Sequence, residues 1–175
     1  MFKLILIGVV LAIAAVLILA AMKPDTFRVQ RSASIKAPPE KIFPLINNLR
    51  DNAKWQPYYH KDAAMKSIYS GPDSGPGARV DFDGDSNVGS GRVTITGSVS
   101  PRSVTMRLQM FKPFAGDNIV EFTLVPHGDS TDVTWAMQGQ SPYMAKIMQV
   151  FFNMDRMVGN DFAAGLANLK AMVET

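Results

Sequence analysis

Cysteine is missing from this chain altogether. Its absence excludes disulfides, thiolate metal sites and thiol nucleophiles, and leaves the compartment open, because a cysteine-free protein suits either side of a membrane. Histidine is nearly as scarce. His60 and His127 are the only two, and neither stands at helical ligand spacing with a second donor, so no metal site is expected. No Gly-x-Ser-x-Gly elbow and no phosphate-cradling glycine loop is present. Val88-Gly89-Ser90-Gly91 falls between strands and reads as a turn. Asp81, Asp83 and Asp85 imitate a calcium loop in spacing alone. Gly84 comes fourth where the sixth position is needed, and Arg92 stands twelfth where a bidentate Glu belongs. A surplus of basic charge is lacking too. Without Lys3 and Lys23, which flank the apolar start, 16 basic residues face 15 acidic ones. No basic stripe interleaves with aromatics, so nucleic acid is excluded as a partner. No cofactor is expected.

What the chain does have begins with an unbroken apolar run, Leu4 to Met22, between Lys3 and Lys23. Its length approaches the ~20 residues that cross a bilayer core. A cleaved signal peptide has a shorter apolar centre of about 7–15 residues, yet Leu19-Ala20-Ala21 also satisfies a small-residue cleavage site. An uncleaved single-pass anchor over residues 1–23, followed by one domain over 24–175, is the expected organisation. Lys3 and the α-amino group favour a cytoplasmic N-terminus, and long domains cross regardless of charge, which puts the domain on the non-cytoplasmic side. Lys23, Arg28, Arg31 and Lys36 count the other way.

Beyond the run, Phe27, Val29, Ala33 and Ile35 alternate with polar residues as in a strand. Pro38 and Pro39 suit the first turn of a short helix that buries Ile42, Phe43 and Ile46. Further strands are predicted at 65–69, 78–83, 91–99, 103–111, 118–125 and 132–140, divided by Gly, Pro and Asp turn signals. Then Ile147, Phe151, Met154, Val158, Phe162, Leu166, Leu169 and Val173 recur in steps of three and four. They predict one helix of about 30 residues over Ser141–Glu174, roughly 45 Å long. Asn153 or Asp155 could open a second segment after a break. The class is α+β: an antiparallel sheet of about six or seven strands closed by a long C-terminal helix.

The stretches Ile35-Lys36-Ala37-Pro38-Pro39-Glu40-Lys41-Ile42-Phe43, Lys54-Trp55-Gln56-Pro57-Tyr58, Tyr69-Ser70-Gly71-Pro72, Phe111-Lys112-Pro113-Phe114, Val133-Thr134-Trp135, Met157-Val158-Gly159 and Gly165-Leu166-Ala167-Asn168-Leu169-Lys170 form a recognisable set. Together they resemble the START-like, or SRPBCC, superfamily of polyketide cyclase, dehydrase and lipid-transfer relatives. A second Trp is common where Tyr58 stands. The likeness covers roughly Thr26 to Glu174 and is greatest to membrane-anchored bacterial members, which implies a bacterial inner membrane. It also implies a helix-grip fold, in which the sheet curls round the final helix over an apolar cavity. For a reaction these motifs are almost silent.

Trp55, Tyr58, Tyr59 and His60 form the densest aromatic cluster, in an expected loop, either as a packed plug or as a cavity mouth. Strand parity sets Val104, Met106, Leu108 and Met110 on one inward face and Val133, Trp135 and Met137 on another. Those faces are core, or they line a cavity where one exists. The candidate ligand-binding set is Trp55, Tyr58, Tyr59, Met106, Met110, Trp135, Met137 and Phe151. Met144, Met148, Met154, Met157 and Met172 crowd the C-terminal stretch, as gap fillers or as a surface tolerant of varied ligands. Phe111 and Phe114 read as an exposed loop that gates the cavity, meets the bilayer or packs on the helix. Three functions stand open. One is a tethered carrier or sensor of a hydrophobic small molecule or lipid. Another is a cyclase- or hydrolase-type enzyme using Tyr58, Tyr59 or His60. The third is a protein-interaction module with a filled cavity. Glu121, the likeliest inward carboxylate by position, falls out of phase with Val120 and Phe122.

Overall fold

The computed structural model describes residues 1–175. Helix α1 (Phe2–Ala21) has apolar side chains all round from Leu4 onward and buries only Ala20 within the protein. Twenty residues at 1.5 Å each span about 30 Å, the thickness of a hydrocarbon core. It is long and apolar enough to cross a membrane, a property signal sequences share.

The sheet contains β1 (Thr26–Ile35), β2 (Lys66–Ser70), β3 (Arg79–Asp83), β4 (Ser90–Val99), β5 (Ser103–Lys112), β6 (Gly116–His127) and β7 (Ser130–Gln140). Their order is β1-β7-β6-β5-β4-β3-β2 and every neighbouring pair is antiparallel. Register shifts at Ser90/Gly91 and Ile95/Gly97 break the β4–β5 ladder, and such irregularities bend a sheet. Period-2 alternation places Val29, Val80, Ile95, Val104, Met106, Val120, Phe122, Val133 and Trp135 on the buried concave face.

Between β1 and β2 the chain is more helical than its sequence suggests. After α2 (Pro39–Asn47), the stretch around Trp55 forms α3 (Leu49–Trp55) and α4 (Tyr58–Lys61) instead of a loop. Asn48 explains α3: its Oδ1 accepts from the backbone N–H of Arg50 (2.9 Å) and Asp51 (3.3 Å), satisfying donors that a helix start leaves orphaned.

The C-terminal helix is also broken, which corrects the single 30-residue rod. Helix α5 (Tyr143–Phe151) ends at Phe152, and Asn153 starts α6 (Met154–Glu174) by accepting from Arg156 N–H at 2.9 Å. Only α6 grips the sheet. Its Phe162, Leu166 and Leu169 are buried there, and Gly159 and Gly165 allow close approach. Helix α5 packs instead beside α1, where the Tyr143 hydroxyl donates to the Leu17 carbonyl at 2.9 Å.

Candidate functional site

An apolar cavity of about 230 Å³ lies between the concave sheet face, α3, α4 and α6. Its deep end is formed by buried side chains, among them Val80, Met106, Val120, Trp135 and Phe162. Its outer end is formed by half-buried Met65, Val88, Met110 and Asn118. Fifteen of its eighteen lining residues are hydrophobic; Asn52, Gln56 and Asn118 are the polar ones, and no charged side chain lines it. The cavity therefore suits a neutral molecule with a few polar atoms, because a bare ion in such walls would be strongly penalised.

Of the eight candidate ligand-binding residues, Tyr58, Tyr59, Met106, Met110, Trp135 and Met137 line this cavity. Trp55 does not. It is almost wholly buried behind the wall, its Nε1–H donating to the Leu45 carbonyl at 2.9 Å and its ring meeting Trp135 edge-on at 5.6 Å. It is a structural plug. Phe151 lies on α5, outside the cavity and exposed, because the break after it turns the helical stripe away from the sheet. Strand parity contained the signal for Leu108, Val120 and Asn118, which share the inward phase of their neighbours. Asn52, Gln56 and Met65 have no such signal, since they reach the cavity only through helices and a turn that fold over the sheet.

Trp135 is held firmly. Its ring stacks on Phe162 with centroids 4.0 Å apart, and Phe122 lies 5.1 Å away. Yet its Nε1–H is fully buried and has no hydrogen-bond partner, alone among buried side-chain polar atoms. An unpaired buried donor of this kind costs about 1–3 kcal/mol.

The two tyrosines are not poised as bases. Burial pushes the Tyr58 phenol well above its ordinary range, and the neighbouring Asp161 carboxylate acts in the same direction. Burial raises Tyr59 likewise, with Tyr69 adding to it. Both stay protonated at neutral pH and can donate a hydrogen bond. Lys61 binds Asp161 at 2.6 Å, tying α4 to α6 at this wall. His60 is exposed, its Nε2 3.2 Å from the Lys54 carbonyl. Glu121 points outward, 3.7 Å from Arg28.

A larger open depression of about 430 Å³ on the outer sheet face is lined wholly by non-hydrophobic residues, including Arg79, Arg92 and Gln109. Asp81 bridges its two arginines, at 3.4 Å and 2.6 Å. It is an open and wholly polar surface groove, so the smaller, more enclosed apolar cavity is the stronger candidate. Asp81 is thus an ion-pair residue, and Asp85 closes its own turn by accepting from Asn87 N–H at 2.8 Å.

A curved antiparallel sheet gripping one long helix over an internal cavity defines the helix-grip class. The chain belongs to the family described as polyketide cyclase / dehydrase and lipid transport, whose model matches residues 26–174. Solved structures agree on the fold. Protein CV1439 from Chromobacterium violaceum is 19% identical, with a TM-score of 0.61 over 87% of this chain and 99% of its own. Protein MLL2253 from Mesorhizobium loti is 15% identical, with 0.62 over 85% and 97%. The major latex-like protein 151 of Panax ginseng is only 10% identical, with 0.58 over 86% and 99%. A search of curated proteins returned no match.

Proposed function

We propose that this chain is a membrane-tethered carrier or sensor. In this reading residues 1–23 form an uncleaved anchor, and the domain over 24–175 encloses a small neutral hydrophobic molecule. The observation that carries the reading is the apolar cavity itself, with fifteen hydrophobic residues among its eighteen and no charged side chain. At about 30 Å³ per water-sized group, its volume takes one short chain or a compact ring system. A longer lipid would enter only in part. Tyr58, Tyr59 and Asn118 supply the polar contacts for a carbonyl, hydroxyl or ether oxygen of the occupant.

Binding is favoured over turnover because the cavity holds no carboxylate or imidazole, and its two phenols are pushed away from the pKa that acid–base catalysis needs. An open cavity also favours this reading over an interaction module with a filled core.

The test is native mass spectrometry of the full-length chain released from membranes, with lipids and metabolites extracted from the same sample. The expected result is a defined small neutral adduct, its occupancy falling about tenfold in Val120→Phe, equivalent to about 1.4 kcal/mol. The chain has two tryptophans, both at or behind the cavity wall, so adding the extracted compound should also shift intrinsic fluorescence. A bare mass, together with unchanged fluorescence across single-chain lipids, sterols and aromatic ketones, would sink the proposal.

A further inference from the structure

We propose that the open end of the cavity lies against the bilayer surface, with the β5–β6 hairpin and α5 dipping into it, so that ligand passes between membrane and cavity without crossing water. This inference rests on α1 being a membrane anchor and adds where the domain sits on that membrane.

The argument starts from strand register. Thr26 pairs with Gln140, Gly139 with Asn118, Met110 with Gly116, and Ser90 with both Lys112 and Asp83. These residues mark one end of the sheet, and three independent features collect there. First, the cavity's half-buried outer residues Met110, Asn118 and Val88 belong to this end. Second, α1 enters the sheet here. Residues 22–25 between α1 and β1 reach at most about 14 Å, so this end cannot stand far from the bilayer. Third, a group of exposed large apolar side chains lies here. Phe111 and Phe114 sit at the β5–β6 hairpin, more than half exposed, and Met144, Met148 and Phe151 lie exposed on α5.

Helix α5 is fixed to the anchor itself. Tyr143 bonds the Leu17 carbonyl, inside the apolar length of α1, and a tyrosine there sits at the depth where membrane-interface aromatics collect. Lys146, buried at the same junction, pairs with Asp25, which keeps its charge satisfied beside the apolar surface. An amphipathic helix so placed lies in the interface plane, its apolar face about 5–10 Å deep. Charge at this end is divided. Lys23 and Lys112 are exposed, and Asp117 is paired with Arg107. Exposed Asp83, opposite Ser90, and Asp85, which accepts from Val88 N–H, stand on the β3 side of the mouth, so the bilayer contact falls on the hairpin and α5 side. A patch of this apolarity would be unusual as a bare surface in water.

The cysteine-free chain allows the test directly. Single nitroxide labels on Ile13→Cys, Phe114→Cys, Met148→Cys and Asp129→Cys in full-length protein, reconstituted into phosphatidylcholine–phosphatidylglycerol vesicles, report depth by their accessibility to oxygen and to a water-soluble nickel complex. Labels at 13, 114 and 148 are expected to show oxygen-to-nickel ratios several-fold above that at 129, which lies at the opposite end of β6 and β7. A bilayer-like ratio at 13 with water-like ratios at 114 and 148 would overturn this inference and leave the anchor standing. A water-like ratio at 13 would overturn the anchor and this inference together.

Discussion

At Gly165 a methyl group would sit 2.7 Å from Trp135 Cζ3 and 3.0 Å from Pro57 Cδ. Neither neighbour can yield easily. The indole is stacked on Phe162, and the proline ring is rigid. At Gly159 the obstacle is the Arg31 guanidinium, Nη2 at 2.0 Å and Cζ at 2.3 Å. It is the far end of a long side chain that donates to the Asp155 carboxylate and to the Asp155 and Gln30 carbonyls. Alanine is favoured over glycine inside a helix by about 1 kcal/mol, whereas overpacking a tight core costs about 1–3 kcal/mol. Gly165→Ala is therefore expected to lower stability by roughly 1 kcal/mol net. Gly159→Ala should stay within about 0.5 kcal/mol of the parent, since the helix gain offsets a part-exposed ion pair. Thermal melts of both variants in the same detergent check the contrast, and equal losses would refute the idea that neighbour rigidity decides. Arg31 itself shows a limit of sequence reading. It stands in the inward phase of β1, among Val29, Ala33 and Ile35. Only the facing glycine on α6 reveals how an arginine fits there.

Elements were legible where periodicity was strong and hidden where a single polar atom decides. All seven strands could be anticipated from alternation and turn residues, because a half-buried sheet writes its period into the sequence. Helices α3 and α4 could not. Their apolar residues are too few to mark a face, and α3 depends on one asparagine side chain. The end of the chain shows both sides of this. The apolar stripe runs through Phe151 and Met154 without interruption, and period alone predicts a continuous rod. The break is local chemistry: Asn153 is an N-cap, as the sequence allowed. Asn153→Ala should then destabilise the fold by about 1 kcal/mol by orphaning the Arg156 N–H. Hydrogen exchange should localise the loss, with faster exchange in the first turn of α6 and little change in β4–β6. Uniform acceleration across the sheet would show that the cap instead sets global packing.

Across the whole molecule, the cavity opposes stability. Met106, Leu108, Met110, Trp135 and Met137 in its wall were anticipated from inward strand faces, yet the space between the walls has no sequence signature. It arises because α3, α4 and α6 bridge a curved sheet without filling it. Lost packing costs about 24 cal/mol per Å³ of dry void, so a volume near 230 Å³ carries at most about 5.5 kcal/mol by that scale. That is comparable to the lower end of a typical domain's total stability. A ligand at 100 times its Kd would restore about 2.7 kcal/mol, which links retention of the space to occupancy. Val120→Phe separates the two effects. Val120 is buried on the cavity wall, and a phenyl ring there can extend into open volume. In ligand-stripped protein it should stabilise by about 1 kcal/mol and raise Tm by roughly 2–4 °C, while ligand occupancy falls. A lower Tm in the stripped variant would mean that the wall has already closed around Val120, and the cavity could not then serve as a preformed site.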